Sequence, residues 1–350
     1  MPQKKVAVAM SGGIDSAVAV ALLKKQGYQV FGITMMQHPE PGKKAVEAAR
    51  QAARLLNVDH HVIDLRRHFN KQVVKPFCQE YGLGRTPNPC IACNQHIKFG
   101  LLLNKARKMG ADYLATGHYA RIEDGQGGYR LLKGVDYGKD QSYFLYTLNQ
   151  EQLACLLLPM GELYKNQTRR IARELGLAVS DGHESQDICF IPDNDYRSFV
   201  DGHIYCQPGE IVDAKGQVLG QHSGLAHYTV GQRQGLGLFI EKRMYVLKLD
   251  VDNNRLVVGS QSQLLSSGLT AVQLNWVAGN APQDDQRITA RIRYKSPEVA
   301  TSLKLDGDSV EVCFSQPQRS VSPGQAVVFY RGEVVLGGGI IESQNAAKCG

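Results

Sequence analysis

Three thiols and one glycine-rich hexapeptide offer the most chemistry in this 350-residue chain. Cys90 and Cys93 form a Cys-x-x-Cys pair within Arg85-Thr86-Pro87-Asn88-Pro89-Cys90-Ile91-Ala92-Cys93-Asn94. Pro87 and Pro89 make a stiff loop ahead of the first thiol, and a helix predicted over 95–108 puts Cys93 at or near its N-terminus. Arg85, Lys98 and the helix dipole would each lower a thiol pKa there, as a nucleophile or a metal ligand requires. A structural zinc site would need two more ligands at similar spacing, and no second Cys-x-x-Cys exists. Cys189, in Ile188-Cys189-Phe190-Ile191, taken alone reads as a core thiol.

The hexapeptide is Ser11-Gly12-Gly13-Ile14-Asp15-Ser16. Gly12 and Gly13 can take positive φ and bare their N–H groups, while Ser11 and Ser16 add hydroxyls at the positive end of the next helix. An anion fits such a nest, and Asp15 suits Mg²⁺ beside phosphates. No Gly-Lys-Ser/Thr follows, so this is not a Walker loop, and Gly-x-Gly-x-x-Gly is missing. The bland alternative is a glycine turn with Asp15 as a helix cap.

These residues need positioning. The apolar run 6–9 reads as a buried parallel strand and 17–25 as a helix; strands over 29–35 and 59–65 alternate with helices over 42–56 and 66–81. Such alternation predicts an α/β fold, a doubly wound parallel sheet whose ligands gather beyond the carboxyl ends of its strands. The nest, Met35 and the Gly117-His118 turn closing a strand over 113–119 all stand at such ends. Lys139-Asp140-Gln141-Ser142-Tyr143-Phe144 mixes charge with aromatics after a hairpin, and 151–175 reads as helix broken near Pro159, with Arg169, Arg170 and Arg173 suited to a phosphate backbone or a solvated face. Past 203 the helical periodicity fades. A small central β domain is predicted over 204–264 and a C-terminal β-barrel over 265–345, leaving 1–203 as the first domain. Arg291, Arg293, Tyr294 and Lys295 are placed on one barrel strand, over 287–294, where charge and a ring suit RNA.

The net charge of +7 favours a polyanionic partner. Without a signal segment or an apolar run long enough to span a bilayer, the expectation is a cytoplasmic protein with no membrane association, and its eight cysteines then point to thiol or metal chemistry rather than disulfides. Cys78, Cys155 and Cys313 read as core residues, Cys349 as part of a frayed tail, and Cys206 as unassigned.

The hexapeptide resembles the PP-loop of ATP pyrophosphatases. In order along the chain stand Ser-Gly-Gly-Ile-Asp-Ser, Arg-Thr-Pro-Asn-Pro-x-x-x-Cys-Asn, Ala-Thr-Gly-His-Tyr, Lys-Asp-Gln-Ser-Tyr-Phe-Leu, Ile-Cys-Phe-Ile and His-Tyr-Thr-x-Gly-Gln-Arg-x-Gly-Leu-Gly. Together they resemble the tRNA-specific 2-thiouridylase family over nearly the whole chain. The resemblance implies ATP-dependent sulfur insertion at position 2 of the wobble uridine in glutamate, glutamine and lysine tRNAs. It implies that Ala9, Met10, Ser11, Gly12, Gly13, Ile14, Asp15, Ser16, Met35 and Gly117 bind ATP with Mg²⁺. By the same resemblance Asn88, Pro89, Cys90, His118, Lys139, Asp140, Gln141, Arg293, Tyr294 and Gln325 contact tRNA. Cys189 would carry a persulfide delivered by a cysteine desulfurase relay, and Cys93 would free its sulfur; whether the two then form a transient disulfide the resemblance leaves open. Many members carry an acid where this chain has Cys90, so that acid/base role does not transfer. Cys90, Cys93 and Cys189 instead suit, in number, a 4Fe-4S cluster with one open iron. Rival readings on the same nest are an amide-forming PP-loop ligase, such as an NAD or argininosuccinate synthetase, and a cluster-bearing, RNA-binding redox sensor.

Overall fold

The computed structural model describes residues 3–38, 40–177, 188–191, 193, 195–238, 242–283 and 287–345. Its first part holds strands β1 (Lys5–Ala9), β2 (Gln29–Met36), β3 (His60–Asp64), β4 (Tyr113–Ala115), β5 (Ala120–Gly125), β6 (Gly128–Lys133) and β7 (Leu156–Leu157). Five of them form a parallel sheet in the order β3-β2-β1-β4-β7. Side chains alternate across a strand, so Val6 and Val8 face one way and Ala7 the other, all fully buried. Val6 and Val8 pack against α1 (Ile14–Lys25), α2 (Glu40–Leu55) and a later helix, Lys165–Glu174, through Val18, Leu23, Ala49 and Ala172. Ala7 packs against Phe99, Leu102 and Ala106 on the opposite face. The predicted doubly wound sheet is thus present, and the chain reverses direction across it between β1 and β4.

Two helices differ from expectation. The helix α3 spans 66–82 with a π segment at Asn70–Val74. The helix α4 spans 89–108 and begins six residues earlier than the predicted start at 95. Asn88 caps it, accepting from the Cys90 N–H at 3.1 Å, and Pro89 takes the first helical position, where a missing N–H costs nothing. Pro89 therefore opens a helix instead of stiffening a loop, and Cys93 lies a full turn inside, at the start of a π segment, Cys93–Leu102. Within 151–175, the expected helix gives way to strand β7 and a 3₁₀ turn, Pro159–Glu162, before α5 (Lys165–Glu174).

After α6 (Tyr196–Asp201) comes a four-stranded sheet of β8 (Gly209–Asp213), β9 (Val218–His222), β10 (Tyr245–Asp250) and β11 (Arg255–Gly259), ordered β10-β11-β8-β9. Then β12 (Leu265–Trp276), β13 (Thr289–Arg291), β14 (Val299–Asp306), β15 (Ser309–Arg319), β16 (Ala326–Arg331) and β17 (Val334–Asn345) close into a barrel by the pairing of β12 with β17. The β5–β6 hairpin of the first part joins the barrel sheet through Leu131 and Leu132 opposite Val335 and Val334. No helix among the described residues is long and apolar enough to cross a membrane.

The strand expected over 287–294 is much shorter: β13 ends at Arg291, and a turn closed by the Ser296 N–H on the Arg293 carbonyl follows. Arg291 points inward, 3.2 Å from Asp140 and 2.9 Å from Glu298. Asp140 is 2 % exposed and also accepts from the Gly134 and Ser142 N–H groups and the Ser142 hydroxyl. Its carboxylate is turned into the interior, so the expectation that this side chain touches tRNA is not met by the geometry. Asp140→Ala leaves the Arg291 guanidinium with Glu298 alone and strands two buried N–H groups, and should lower unfolding free energy by about 3 kcal/mol. A reduced urea midpoint reads this; an unchanged midpoint with weakened tRNA binding would restore Asp140 as an RNA contact.

Candidate active site

Beyond the carboxyl ends of β1, β2 and β4 lies a cavity of about 450 Å³. The nest forms one wall. Gly12 alone takes the left-handed region, at φ +81°, and a Cβ there would stand 2.8 Å from the Ala45 carbonyl oxygen. Gly13 is extended at φ −88° and ends the turn as the N-cap of α1. Ser16 Oγ accepts from the Ser11 N–H at 3.2 Å and donates to the Gly13 carbonyl at 3.0 Å, so this hydroxyl locks the loop's shape. Gly117 is needed for close packing on the nest itself: a Cβ would lie 3.0 Å from the Ser16 nitrogen. Ala9, Met10, Ser11, Asp15, Ser16, Met35 and Gly117 of the expected nucleotide set line the cavity.

Asp15 was expected to serve Mg²⁺. Both its oxygens are held by Lys165 Nζ, at 2.7 and 2.9 Å, and Oδ1 also accepts from the Tyr119 hydroxyl at 2.9 Å. It is the only carboxylate among the described residues of the cavity wall. A carboxylate already satisfied by an ammonium and a phenol does not fit a resident cation.

The opposite wall carries sulfur. Cys90, Cys93 and Cys189 all line this cavity, with Lys98 and His118 beside them. Cys90 and Cys93 share a face of α4 at a spacing of three, while Cys189 arrives in a short turn. Gln37 Nε2 lies 3.4 Å from Cys93 Sγ, and His38 Nε2 lies 3.8 Å from Cys189 Sγ. Solvent reaches Cys90 and Cys189 but not Cys93. Protein nonetheless crowds all three sulfurs, so desolvation dominates: it raises Cys90 and Cys93 above an ordinary thiol and pushes Cys189 up to about 12, where charge on Cys93 and Cys90 adds to it. The expected lowering by Arg85 does not occur, because Arg85 pairs with Glu80 at 2.7 Å. Lys98 does favour the thiolates, but burial outweighs it.

Three thiols on one wall match in number the ligands of a 4Fe-4S cluster with an open iron. They are not drawn together as ligands of a single ion, since among the described residues only Asp201, Cys206 and His227 bring such atoms within 4.8 Å of each other.

The residues expected to meet tRNA are spread more widely. Pro89, Cys90, His118 and Gln141 line the cavity. His118 is buried, with Nδ1 2.7 Å from Thr116 Oγ1 and Nε2 3.5 Å from Lys98 Nζ, and desolvation first, then Lys98, hold its pKa far below the usual range. Arg293 is exposed, Lys139 is half-buried, and Tyr294 is half-buried against Phe144 at 4.4 Å between ring centres. Gln325 donates to the Thr86 carbonyl at 2.8 Å, tying the barrel to the segment that leads into Asn88 and Cys90. Sequence reasoning missed Gln37, His38 and Lys165 as site residues. Gln37 and His38 directly follow β2 and were findable by the strand-end rule; nothing local marks Lys165. Residues 178–187 and Cys349 lie outside the described residues.

Raised thiols make a pH prediction. In the ligand-free protein, alkylation of Cys189 by iodoacetamide should be slow at neutral pH and accelerate about tenfold per pH unit below its pKa. Lys98→Met removes the favourable charge and should slow it further. Peptide mass spectrometry reads both; a pH-independent rate would show that the sulfur is already ionised.

Residues 4–193 match the family described as "tRNA methyl transferase HUP domain", 197–260 "tRNA methyl transferase PRC-barrel domain", and 266–341 "Aminomethyltransferase beta-barrel domain". Among curated relatives, "tRNA-specific 2-thiouridylase MnmA" of Acetivibrio thermocellus is 46 % identical, the match covering 98 % of this chain and 100 % of that one. The protein of the same name from Geotalea uraniireducens is 48 % identical, with 97 % and 95 % covered. The solved structure titled "The crystal structure of predicted subunit of tRNA methyltransferase from Methanocaldococcus jannaschii DSM" is 20 % identical, covers 49 % of this chain and 75 % of its own, and has a TM-score of 0.34, too slight a likeness to argue from. The family descriptions mention methyl transfer, but the relatives that match end to end are thiolating enzymes, and the cavity is walled with sulfur. The chain belongs to the tRNA-specific 2-thiouridylase family.

Proposed function

We propose that the protein replaces the 2-oxygen of the wobble uridine of glutamate, glutamine and lysine tRNAs with sulfur at the expense of ATP. The observation that carries this reading is the meeting of the anion nest and the thiols Cys93 and Cys189, remote in sequence, in one cavity. A carbonyl oxygen is a poor leaving group, so the uridine 2-oxygen attacks the α-phosphorus of ATP and pyrophosphate departs. The nest N–H groups take the charge of the departing pyrophosphate, and Lys165 offsets the Asp15 carboxylate that would otherwise repel it. Mg²⁺ enters with ATP as part of the substrate. The base must leave its stack to reach the cavity, which is easiest from a single-stranded loop.

Sulfur transfer follows on the other wall. Cys189 receives sulfur as a persulfide from a donor relay. The terminal sulfur attacks C2, the C2–O bond breaks, and AMP leaves with the oxygen. The Cys93 thiolate then attacks Cys189 Sγ, which breaks the S–S bond, frees 2-thiouridine and leaves a Cys93–Cys189 disulfide. The two electrons that reduce the transferred sulfur come from these two thiols, and an external thiol restores them. Lys98, beside all three sulfurs, favours the thiolate when it is needed. A second reading is supported by Cys90, which the persulfide route does not use: with three cysteines as ligands, a 4Fe-4S cluster would supply an open iron to hold sulfide.

The test is mass analysis of the wobble nucleoside after incubation with ATP, Mg²⁺, unmodified tRNA and a sulfide source. Cys93→Ser and Cys189→Ser should each lose thiolation by at least 100-fold while pyrophosphate release persists. Lys165→Met should weaken pyrophosphate release itself. Normal thiolation in either cysteine variant would overturn the persulfide route. Loss in Cys90→Ser, together with a visible charge-transfer band after anaerobic reconstitution with iron and sulfide, would favour the cluster.

A further inference from the structure

Away from the cavity, one group of three metal-ligating side chains among the described residues brings its donor atoms within 4.8 Å of one another: Asp201, Cys206 and His227. The three come from different places. Asp201 is the last residue of α6, Cys206 lies in the segment leading to β8, and His227 ends a 3₁₀ turn, Leu225–His227, in the glycine-rich loop. His227 Nε2 lies 2.7 Å from Asp201 Oδ1. Its other nitrogen, Nδ1, is 2.9 Å from Ser223 Oγ, which fixes the ring and leaves Nε2 facing the other two donors. The Tyr196 hydroxyl, one turn earlier on α6, donates to the His227 carbonyl at 2.5 Å. Gly224 presses on the thiol residue so closely that a Cβ there would stand 2.6 Å from the Cys206 Cβ. The loop is thus held down over Cys206 by contacts independent of any ion.

One sulfur, one imidazole nitrogen and one carboxylate oxygen form a borderline-soft set. Such a set selects against Mg²⁺ and Ca²⁺, which want oxygen alone, and suits tetrahedral Zn²⁺. We propose that Asp201, Cys206 and His227 are the protein ligands of a zinc ion that pins the glycine-rich loop of the central domain to the end of α6. The ion takes the place of the hydrogen now between Nε2 and Asp201 and forms bonds to Sγ, Nε2 and a carboxylate oxygen; the imidazole hydrogen moves to Nδ1, where Ser223 Oγ accepts it, the thiol proton goes to solvent, and no electron changes hands. Water takes the fourth position on the open side, where the Asp201 side chain is 49 % exposed. The thiolation chemistry does not pass through this site, so the inference stands apart from the proposed function.

Metal-stripped full-length protein, titrated anaerobically with Co²⁺ as an optical probe, tests it. The expected result is one equivalent bound with a thiolate-to-cobalt charge-transfer band and tetrahedral ligand-field bands. Zn²⁺ should displace them. Cys206→Ser and His227→Asn should each lose these bands, whereas Cys93→Ser keeps them. Zn²⁺ should also raise the Tm of the wild type and of Cys93→Ser, but not of His227→Asn. Retained thiolation in Cys206→Ser reports that this variant is folded; if it fails to fold, His227→Asn decides. Bands that survive Cys206→Ser or His227→Asn but vanish in Cys93→Ser would move the metal to the cavity thiols and overturn the proposal, as would a titration with no cobalt band.

Discussion

The structure depends on the burial of β1 from both sides. Val6, Ala7 and Val8 have no access to water, so helices must cover both faces of the sheet, and a parallel order then requires the chain to turn back across β1 to place β4. That reversal opens a crevice between the ends of β1 and β4. Ser11 to Ser16 emerge on one side of it and Gly117 on the other, close enough that a single methyl on Gly117 would strike the nest backbone. The nest is therefore a product of sheet topology, with glycine where two backbones meet.

Opposite the nest, burial works against reactivity. Desolvation holds the cavity thiols in the neutral form, and Lys98 supplies the opposing charge. The cost of crowding these sulfurs with protein is that each stays protonated until something changes the local charge, even though solvent still reaches Cys90 and Cys189. His118 is held neutral for the same reason, with its Nε2 3.5 Å from Lys98 Nζ.

The barrel is bound into the first domain by specific contacts. The β5–β6 hairpin extends the barrel sheet, Arg291 closes on Asp140, and Thr86 exchanges hydrogen bonds with Pro323 and Gln325. The last of these holds the segment directly ahead of Asn88, whose side chain caps α4. Barrel position and the placement of Cys90 and Cys93 are mechanically linked.

What the sequence determined by itself was whatever depends on near neighbours along the chain. The unbroken apolar run in β1, the glycine pair and the Cys-x-x-Cys spacing gave the sheet, the nest and one thiol pair, because a run of apolar residues and the pitch of a helix are local. The start of α4 was also written there, in Asn88-Pro89 as cap and first residue, although the two prolines read more readily as a loop. Only the tertiary structure decided which charges meet. Lys165 on Asp15, Asp140 on Arg291 and His38 beside Cys189 join residues far apart in sequence, and their energies come from burial, which no local pattern records. The same cause reversed the expected thiol ionisation: a dipole and two basic neighbours can be counted along a chain, but the loss of water that outweighs them exists only once the chain has closed around the site.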